Sequence, residues 1–198
     1  MLHLDDRATI DRHAEERAWL LRIRAGDAAA FELLFRRYAE ALYDFVHGYV
    51  GSRDVAEEVV QQLFVRVWER RHVWEVQDSV ASYLYRAARN GAHNAVRDHH
   101  RAHLFRAKLA RTEEATPART DDATASDRAL LTSELATAVD RAVRRLPERC
   151  REVFRLNRYH HLTYPEVAQV LGLSVKTVEA HMARAFRELR SRLQDWRP

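Results

Sequence analysis

Lys176, Thr177, His181, Arg184 and Arg187 fall within twelve residues and share one side of a helical repeat. These residue types donate hydrogen bonds to phosphate oxygens and base edges, and an arginine can pair bidentately with guanine. The opposite side carries Val178, Met182, Ala185 and Leu189, spaced by four, three and four residues, which is the buried stripe of an amphipathic helix. The residues before it supply the remaining parts of a motif. Thr163 and Glu166 make a capping box, and Pro165 sits in a first helical turn where its missing N–H is not needed. Val167, Ala168 and Leu171 give that helix an apolar face, Gly172 ends it, Leu173 plugs the corner and Ser174 caps the second helix. Residues 162–190 therefore read as a helix-turn-helix whose second helix is shaped for a major groove.

A second set of polar groups lies far upstream. Tyr83, Arg86, Arg89, Asn90, His93, Asn94 and Arg97 place an aromatic ring, amides and cations along one expected helix. Arg86, Asn90, His93 and Arg97 are spaced by four, three and four, so they share a face. Other reactive groups fall short of a site. His99, His100 and His103, then His160 and His161, have no carboxylate or cysteine to complete a metal set. The single cysteine, Cys150, lies on the apolar side of its helix and reads as an inert buried thiol. There is no glycine-rich phosphate loop, serine–histidine pair or carboxylate pair. The expectation is a binding protein without metal or cofactor, not an enzyme.

The elements that must carry these groups are helices. The 198 residues include only 5 Gly and 4 Pro, and 46% hydrophobic with 31% charged residues fits a folded all-α chain. A net charge of +4 is mild and suits nucleic-acid contact. One cysteine excludes an internal disulfide, no apolar run reaches membrane-span length, and the acidic, polar start is no secretory signal. A cytoplasmic location is the resulting expectation.

Taken in order, residues 1 to about 10 look frayed, and 11–25 form a first helix with Ala14, Ala18 and Leu21 inward, Trp19 and Leu20 flanking them. Gly26 stops it and Asp27 caps the next. Phe31, Leu34, Phe35, Tyr38, Leu42, Phe45, Val46 and Tyr49 then repeat at three- and four-residue steps, marking a core helix that Gly51 breaks. A third helix spans 52–71, with Val55, Val59, Leu63 and Val67 inside, widened by Val60, Phe64 and Trp68. Its outer face carries Gln61, Gln62, Arg66 and Glu69. A loop with Trp74 leads to a fourth helix, capped by Asp78 and ending near His103. Residues 106–129 are small, polar and charged, too poor in apolar surface to order themselves, and read as a flexible linker. A second helical block starts near Leu130, with Leu131, Leu135, Val139, Ala142 and Leu146 on one face. Pro147 opens another helix that buries Cys150, Val153, Phe154 and Leu156 and leads into the helix-turn-helix. The architecture is two small helical domains, 11–105 and 130–195, on a tether.

Together the two blocks resemble a known family. DVAEEVVQQLFVRVWERR followed by SVASYLYRAARNGAHNAVRDHHR is similar to region 2 of bacterial sigma factors. The stretch from LPERCREVF through the helix-turn-helix is similar to their region 4. With nothing like regions 1.1 or 3, the match is to the extracytoplasmic-function group of the sigma-70 family. That resemblance implies a promoter-specificity subunit that binds core RNA polymerase and recognises −35 and −10 elements. Asp54, Glu58, Gln61, Gln62 and Phe64 would meet the clamp helices of the largest polymerase subunit, with Gln62 a departure from the usual acidic residue. Trp74, Tyr83, Arg86, Asn90, Asn94 and Arg97 would capture and read the melted −10 strand, aromatics stacking on bases and cations holding the backbone. Lys176, Thr177, His181, Arg184 and Arg187 would read the −35 element. A tether of roughly 22 residues spans ~25 Å, enough with the domains' own widths to bridge elements more than one ~35 Å DNA turn apart. The resemblance also implies promoter DNA and an anti-sigma factor as partners.

One other family competes. LGLSVKTVEAHMARAF also resembles the LuxR-type DNA-binding domain, through its SxxTVxxH pattern. A regulator of that type needs a receiver or ligand-pocket domain, and the first half resembles neither. A helical protein-binding adaptor is a third reading, against which the arginine-rich face of 86–106 speaks.

Overall fold

The computed structural model describes residues 3–74, 76, 79–109 and 130–194, with side chains over 10–74, 76, 79–102 and 137–194. Among the described residues the chain is all-α. It divides into two compact units, one built mainly from residues up to Arg101 and the other mainly from those beyond.

The first unit is assembled around α2 (Ala28–Val50), the helix with the strongest apolar repeat. Asp27 caps it by accepting from the amides of Ala29 and Ala30. The backbone donors and the guanidinium of Arg22 hold that carboxyl below the usual range. Gly51 closes it in the left-handed region at φ 70°. Its buried positions are Ala30, Leu34, Tyr38, Leu42, Phe45 and Val46, each fully buried leucine contributing ~2 kcal/mol of apolar transfer.

α1 (His3–Arg24) begins about two turns earlier than expected, because no glycine or proline interrupts the chain after His3. Its inner face also differs. Glu16, Trp19 and Ile23 are buried, whereas Ala14 and Ala18 are exposed and Leu21 is 69% exposed. Apolar residues lie all round this helix, so periodicity alone chooses between stripes poorly. What decides is a polar partner across the interface: the Tyr38 hydroxyl donates to Glu16, while Arg37 lies over the Trp19 ring and pairs with Glu15 at 2.7 Å.

α3 (Arg53–Glu69) is capped by the Ser52 hydroxyl and followed by one 3₁₀ turn, Arg71–Val73. It buries Ala56, Val60, Leu63, Phe64 and Val67, a stripe rotated slightly from the expected valine row, with Val55 and Val59 half-buried. α4 (Val80–Leu109) starts after Ser79, whose hydroxyl accepts from the Ser82 amide at 3.3 Å. The expected cap, Asp78, lies outside the described residues. α4 runs six residues past His103, so its helix takes 106–109 from the expected linker, and 110–129 lie outside the described residues. At Gly91 an added Cβ would stand 2.8 Å from Val59 Cγ1, so a side chain there requires Val59 or a helix to shift where α4 passes α3.

The second unit contains α5 (Leu130–Arg144), α6 (Glu148–Arg158), α7 (Tyr164–Leu171) and α8 (Val175–Leu193). Both α5 and α6 pack on α8. Pro147 occupies the N-cap of α6, and Cys150, Val153, Phe154 and Leu156 are buried, as the sequence pattern indicates. Ala142, Val143 and Leu146 are buried at the α5 end; Leu131 and Leu135 have no described side chains. His161 turns the chain at φ 55°, and Asn157 Nδ2 donates to the Leu162 carbonyl at 2.8 Å to close the corner before α7.

Candidate nucleic-acid interface

The helix-turn-helix of α7 and α8 has the expected parts. Thr163 donates from its amide and hydroxyl to Glu166 Oε2 at 2.8 and 2.9 Å, and the Glu166 amide returns a bond to Thr163 Oγ1 at 3.4 Å. Gly172 is left-handed at φ 66°, and the Leu173 amide bonds back to the Ala168 carbonyl at 2.9 Å. Ser174 Oγ accepts from the Thr177 amide at 3.1 Å. Val178, Met182, Ala185 and Leu189 are buried, which leaves Lys176, Ala180, Arg184 and Arg187 exposed along the other side. Two predicted contact residues stand differently. Thr177 is half-buried with its hydroxyl 2.8 Å from that of Ser174, as part of the cap. His181 is half-buried at the α6 side of the helix, with Nδ1 3.6 Å from Cys150 Sγ. The open row is therefore Lys176, Arg184 and Arg187.

In the first unit, α3 and α4 enclose a groove of about 250 Å³. Tyr83, Asn90 and Asn94 line it from α4, Arg66 and Arg70 from α3, and Val59, Leu63 and Val67 form its apolar base. Sequence reasoning misses Arg66 and Arg70 as site residues. Their spacing of four marks one face of α3, but only the crossing at Gly91 reveals that this face meets α4. Arg86 and Arg97 stand on the open face of α4, where Arg97 Nη2 donates to Asn94 Oδ1 at 3.0 Å. Trp74 is a correction. It is only 4% exposed and packs at 5.4 Å between ring centroids against Tyr83, which is 39% exposed. A buried indole cannot stack on a base, so Trp74 backs the ring that can.

The outer face of α3 carries Asp54, Glu58, Gln61 and Gln62, all exposed. Gln62 donates to Glu58 at 3.0 Å and accepts from Arg66 at 3.1 Å, while Gln61 donates to Glu57 at 3.2 Å. These bonds join side chains one turn apart and fix the polar surface as a ladder. Val65 sits among them 54% exposed, an apolar residue at a polar-face position. Phe64 lies on the buried side of α3, where the helical repeat places it. It is 3% exposed, edge-on to Phe31 and Phe35 at 6.1 and 4.8 Å, and therefore supports the surface from beneath.

Known proteins match both units. The family model for sigma-70 region 2 matches residues 34–102, and that for sigma-70 region 4 matches residues 136–189. The chain is 25% identical over 175 residues to the ECF RNA polymerase sigma factor SigW of Bacillus subtilis, covering 87% of this chain and 94% of the relative. It is 28% identical over 184 residues to the ECF RNA polymerase sigma-E factor of Escherichia coli K12, covering 87% and 91%. Among solved structures, CnrH in complex with the cytosolic domain of CnrY shares the fold with a TM-score of 0.62 at 24% identity, over 91% of this chain and 97% of that one. The sigma factor RpoE of Bartonella quintana, solved with the anti-sigma factor NepR, does so with 0.58 at 19% identity, over 84% and 98%. A LuxR-type regulator would account for α7 and α8 alone, whereas the matches run through both units in the sigma order. The chain belongs to the extracytoplasmic-function group of the sigma-70 family, and it is an RNA polymerase sigma factor.

Proposed function

We propose that the protein docks on core RNA polymerase through the outer face of α3, reads and holds the melted −10 strand in the α3–α4 groove, and reads the duplex −35 element with α8. The observation that carries this division is one of shape. The α8 row projects from a helix, as entry into a major groove requires. The groove is recessed, with an exposed tyrosine, amides and two arginines around an apolar base, as capture of an unstacked base requires. Each captured base returns ~1–3 kcal/mol of stacking, which offsets the few kcal/mol needed to extrude it. On this reading Arg66 and Arg70 join Tyr83, Asn90 and Asn94 at the −10 strand, and Arg86 and Arg97 hold its backbone. Asp54, Glu58, Gln61, Gln62 and Val65 meet the clamp helices of the largest subunit.

On this reading residues 11–105 serve the polymerase and the −10 strand, and residues 130–195 serve the −35 element. The complex of the structural neighbour RpoE with the anti-sigma factor NepR supports a further protein partner, an anti-sigma factor. Among the described residues no helix is long and apolar enough to cross a membrane. On this reading the protein works beside the polymerase, in the cytoplasm, and RNA synthesis itself belongs to the polymerase. The test is transcription in vitro with purified core enzyme and genomic promoter fragments: specific initiation is expected, and a chain that neither associates with core nor directs initiation would refute the proposal.

A further inference from the structure

Cys150 is the one sulfur nucleophile of the chain, and neither core burial nor the reading of promoter DNA accounts for where it points. It is 1% exposed on α6, and its Sγ lies 3.6 Å from Nδ1 of His181, on the neighbouring α8. His181 falls between Thr177 and Arg184 in the helical repeat, between the α6 side of α8 and the open row, and is half-buried. The pair can share its hydrogen in two ways. A ring N–H could point at sulfur, a weak acceptor, or the thiol S–H could point at an unprotonated ring nitrogen, a strong one. The second arrangement gives each group its better partner. Burial pushes the Cys150 thiol up, with the Arg184 guanidinium pulling it down and Glu188 pushing it further up, so the hydrogen stays on sulfur. In a neutral imidazole, the hydrogen bond made by one nitrogen sets the role of the other. If Nδ1 accepts, Nε2 carries the proton, and the two nitrogens point in widely divergent directions in the ring plane.

We propose that Cys150 is a positioning residue for DNA reading: its thiol holds the His181 imidazole as the Nε2–H tautomer, so that α8 offers one fixed donor to an acceptor at the major-groove edge. Acceptors of that kind are guanine N7 and O6, adenine N7 and thymine O4. A ring locked as donor discriminates against the amino groups of cytosine and adenine, whereas a ring that exchanges tautomers does not. The inference rests on the reading of α8 as the −35 recognition helix.

Two measurements test it. The first is imidazole nitrogen–proton correlation NMR on the full chain labelled with ¹⁵N-histidine. A single neutral Nε2–H tautomer is expected for His181, lost in Cys150→Ala and kept in Cys150→Ser, whose hydroxyl can donate in the thiol's place. An Nδ1–H or charged ring in the native chain, or no change in Cys150→Ala, overturns the proposal. The second is selection of binding sites from a randomised duplex pool by holoenzyme reconstituted with core polymerase. His181→Ala and Cys150→Ala should each relax preference at the same single base pair by roughly three- to tenfold. The double variant should lose no more, and Cys150→Ser should restore preference. A uniform loss of affinity in Cys150→Ala, in step with a lower unfolding temperature, would mean packing alone and overturn the proposal. If native holoenzyme selects no upstream sequence, the reading of α8 fails with it, a result distinct from a sequence selected but indifferent to Cys150.

Discussion

The two candidate DNA faces differ as a ridge differs from a trough. On α8 the polar row stands out from a helix whose N-terminus Ser174 caps, just as the Thr163–Glu166 box caps α7 before it. Each exposed side chain can be assigned from the helix's own repeat. In the first unit the corresponding groups lie along a seam, with Arg66 and Arg70 from one helix opposite Tyr83, Asn90 and Asn94 from another. A ridge is made by one element and fits a pre-existing groove in duplex DNA. A trough is made by two elements and admits something already taken out of the duplex. Local sequence suffices for the first, and tertiary packing creates the second.

Substitutions can break that comparison. The largest effect is expected at Gly91→Val, because a side chain there meets Val59 and must displace it or shift a helix. Denaturant unfolding should show a loss of ~1–3 kcal/mol or more, typical of overpacking, and promoter-dependent transcription should collapse. Undiminished transcription would show that the trough is not used. Next comes Arg184→Ala, expected to weaken selection of the upstream element roughly ten- to hundredfold, the worth of a bidentate base contact, with core association unchanged in a competition assay. Charge reversal at Asp54 and Glu58 should do the opposite. Equal loss of both activities in both variants would dissolve the division between the units. A smaller effect is expected for Ser174→Ala, about 1 kcal/mol of stability from the lost cap, read as a lower unfolding midpoint.

Acidity sharpens the contrast with the smallest effect at neutral pH. Burial raises the Glu16 carboxyl above its ordinary value, against the lowering influence of Tyr38 and nearby Arg12. The folded first unit then holds a proton longer than the unfolded chain, so its stability falls as pH rises from the ordinary carboxylate range through the raised value. His160 in the second unit behaves oppositely. Burial, with Arg155 and His161 close by, lowers it from 6.5 to about 4, so stability is lost as pH falls from about 6.5 through 4. Glu16→Gln and His160→Gln should each flatten one side of the pH profile of thermal unfolding. A change on the same side from both would contradict the assignment.

These contrasts also mark what the sequence made legible. Most of the core face of α2 and the buried side of α8 follow from repeats within single helices, whereas Phe35 is 41% exposed and Thr177 and His181 are half-buried, against expectation. The inner face of α1 was not legible, because its choice of stripe depends on Tyr38 bonding to Glu16 from another helix. The family resemblance makes Phe64 and Trp74 contact residues, while the α3 repeat also places Phe64 in the buried stripe. Their burial depends on Phe31, Phe35 and Tyr83, which lie outside their own helical repeat. Arg66 was legible as part of the polar face of α3, but its place beside α4, with Arg70 at the helix end, depends on how the two helices pack.

The missing side chain of Gly91 has a consequence for how such a protein can diversify. The trough narrows where Gly91 faces Val59, and a larger residue at Gly91 needs Val59 or a helix to give way. At its rim Arg66, Arg70, Tyr83, Asn90 and Asn94 are exposed, where substitutions generally disturb packing least. The fold thus separates a fixed mould from an interchangeable lip, and a repertoire of sequence preferences could be written on five positions over an unchanged scaffold.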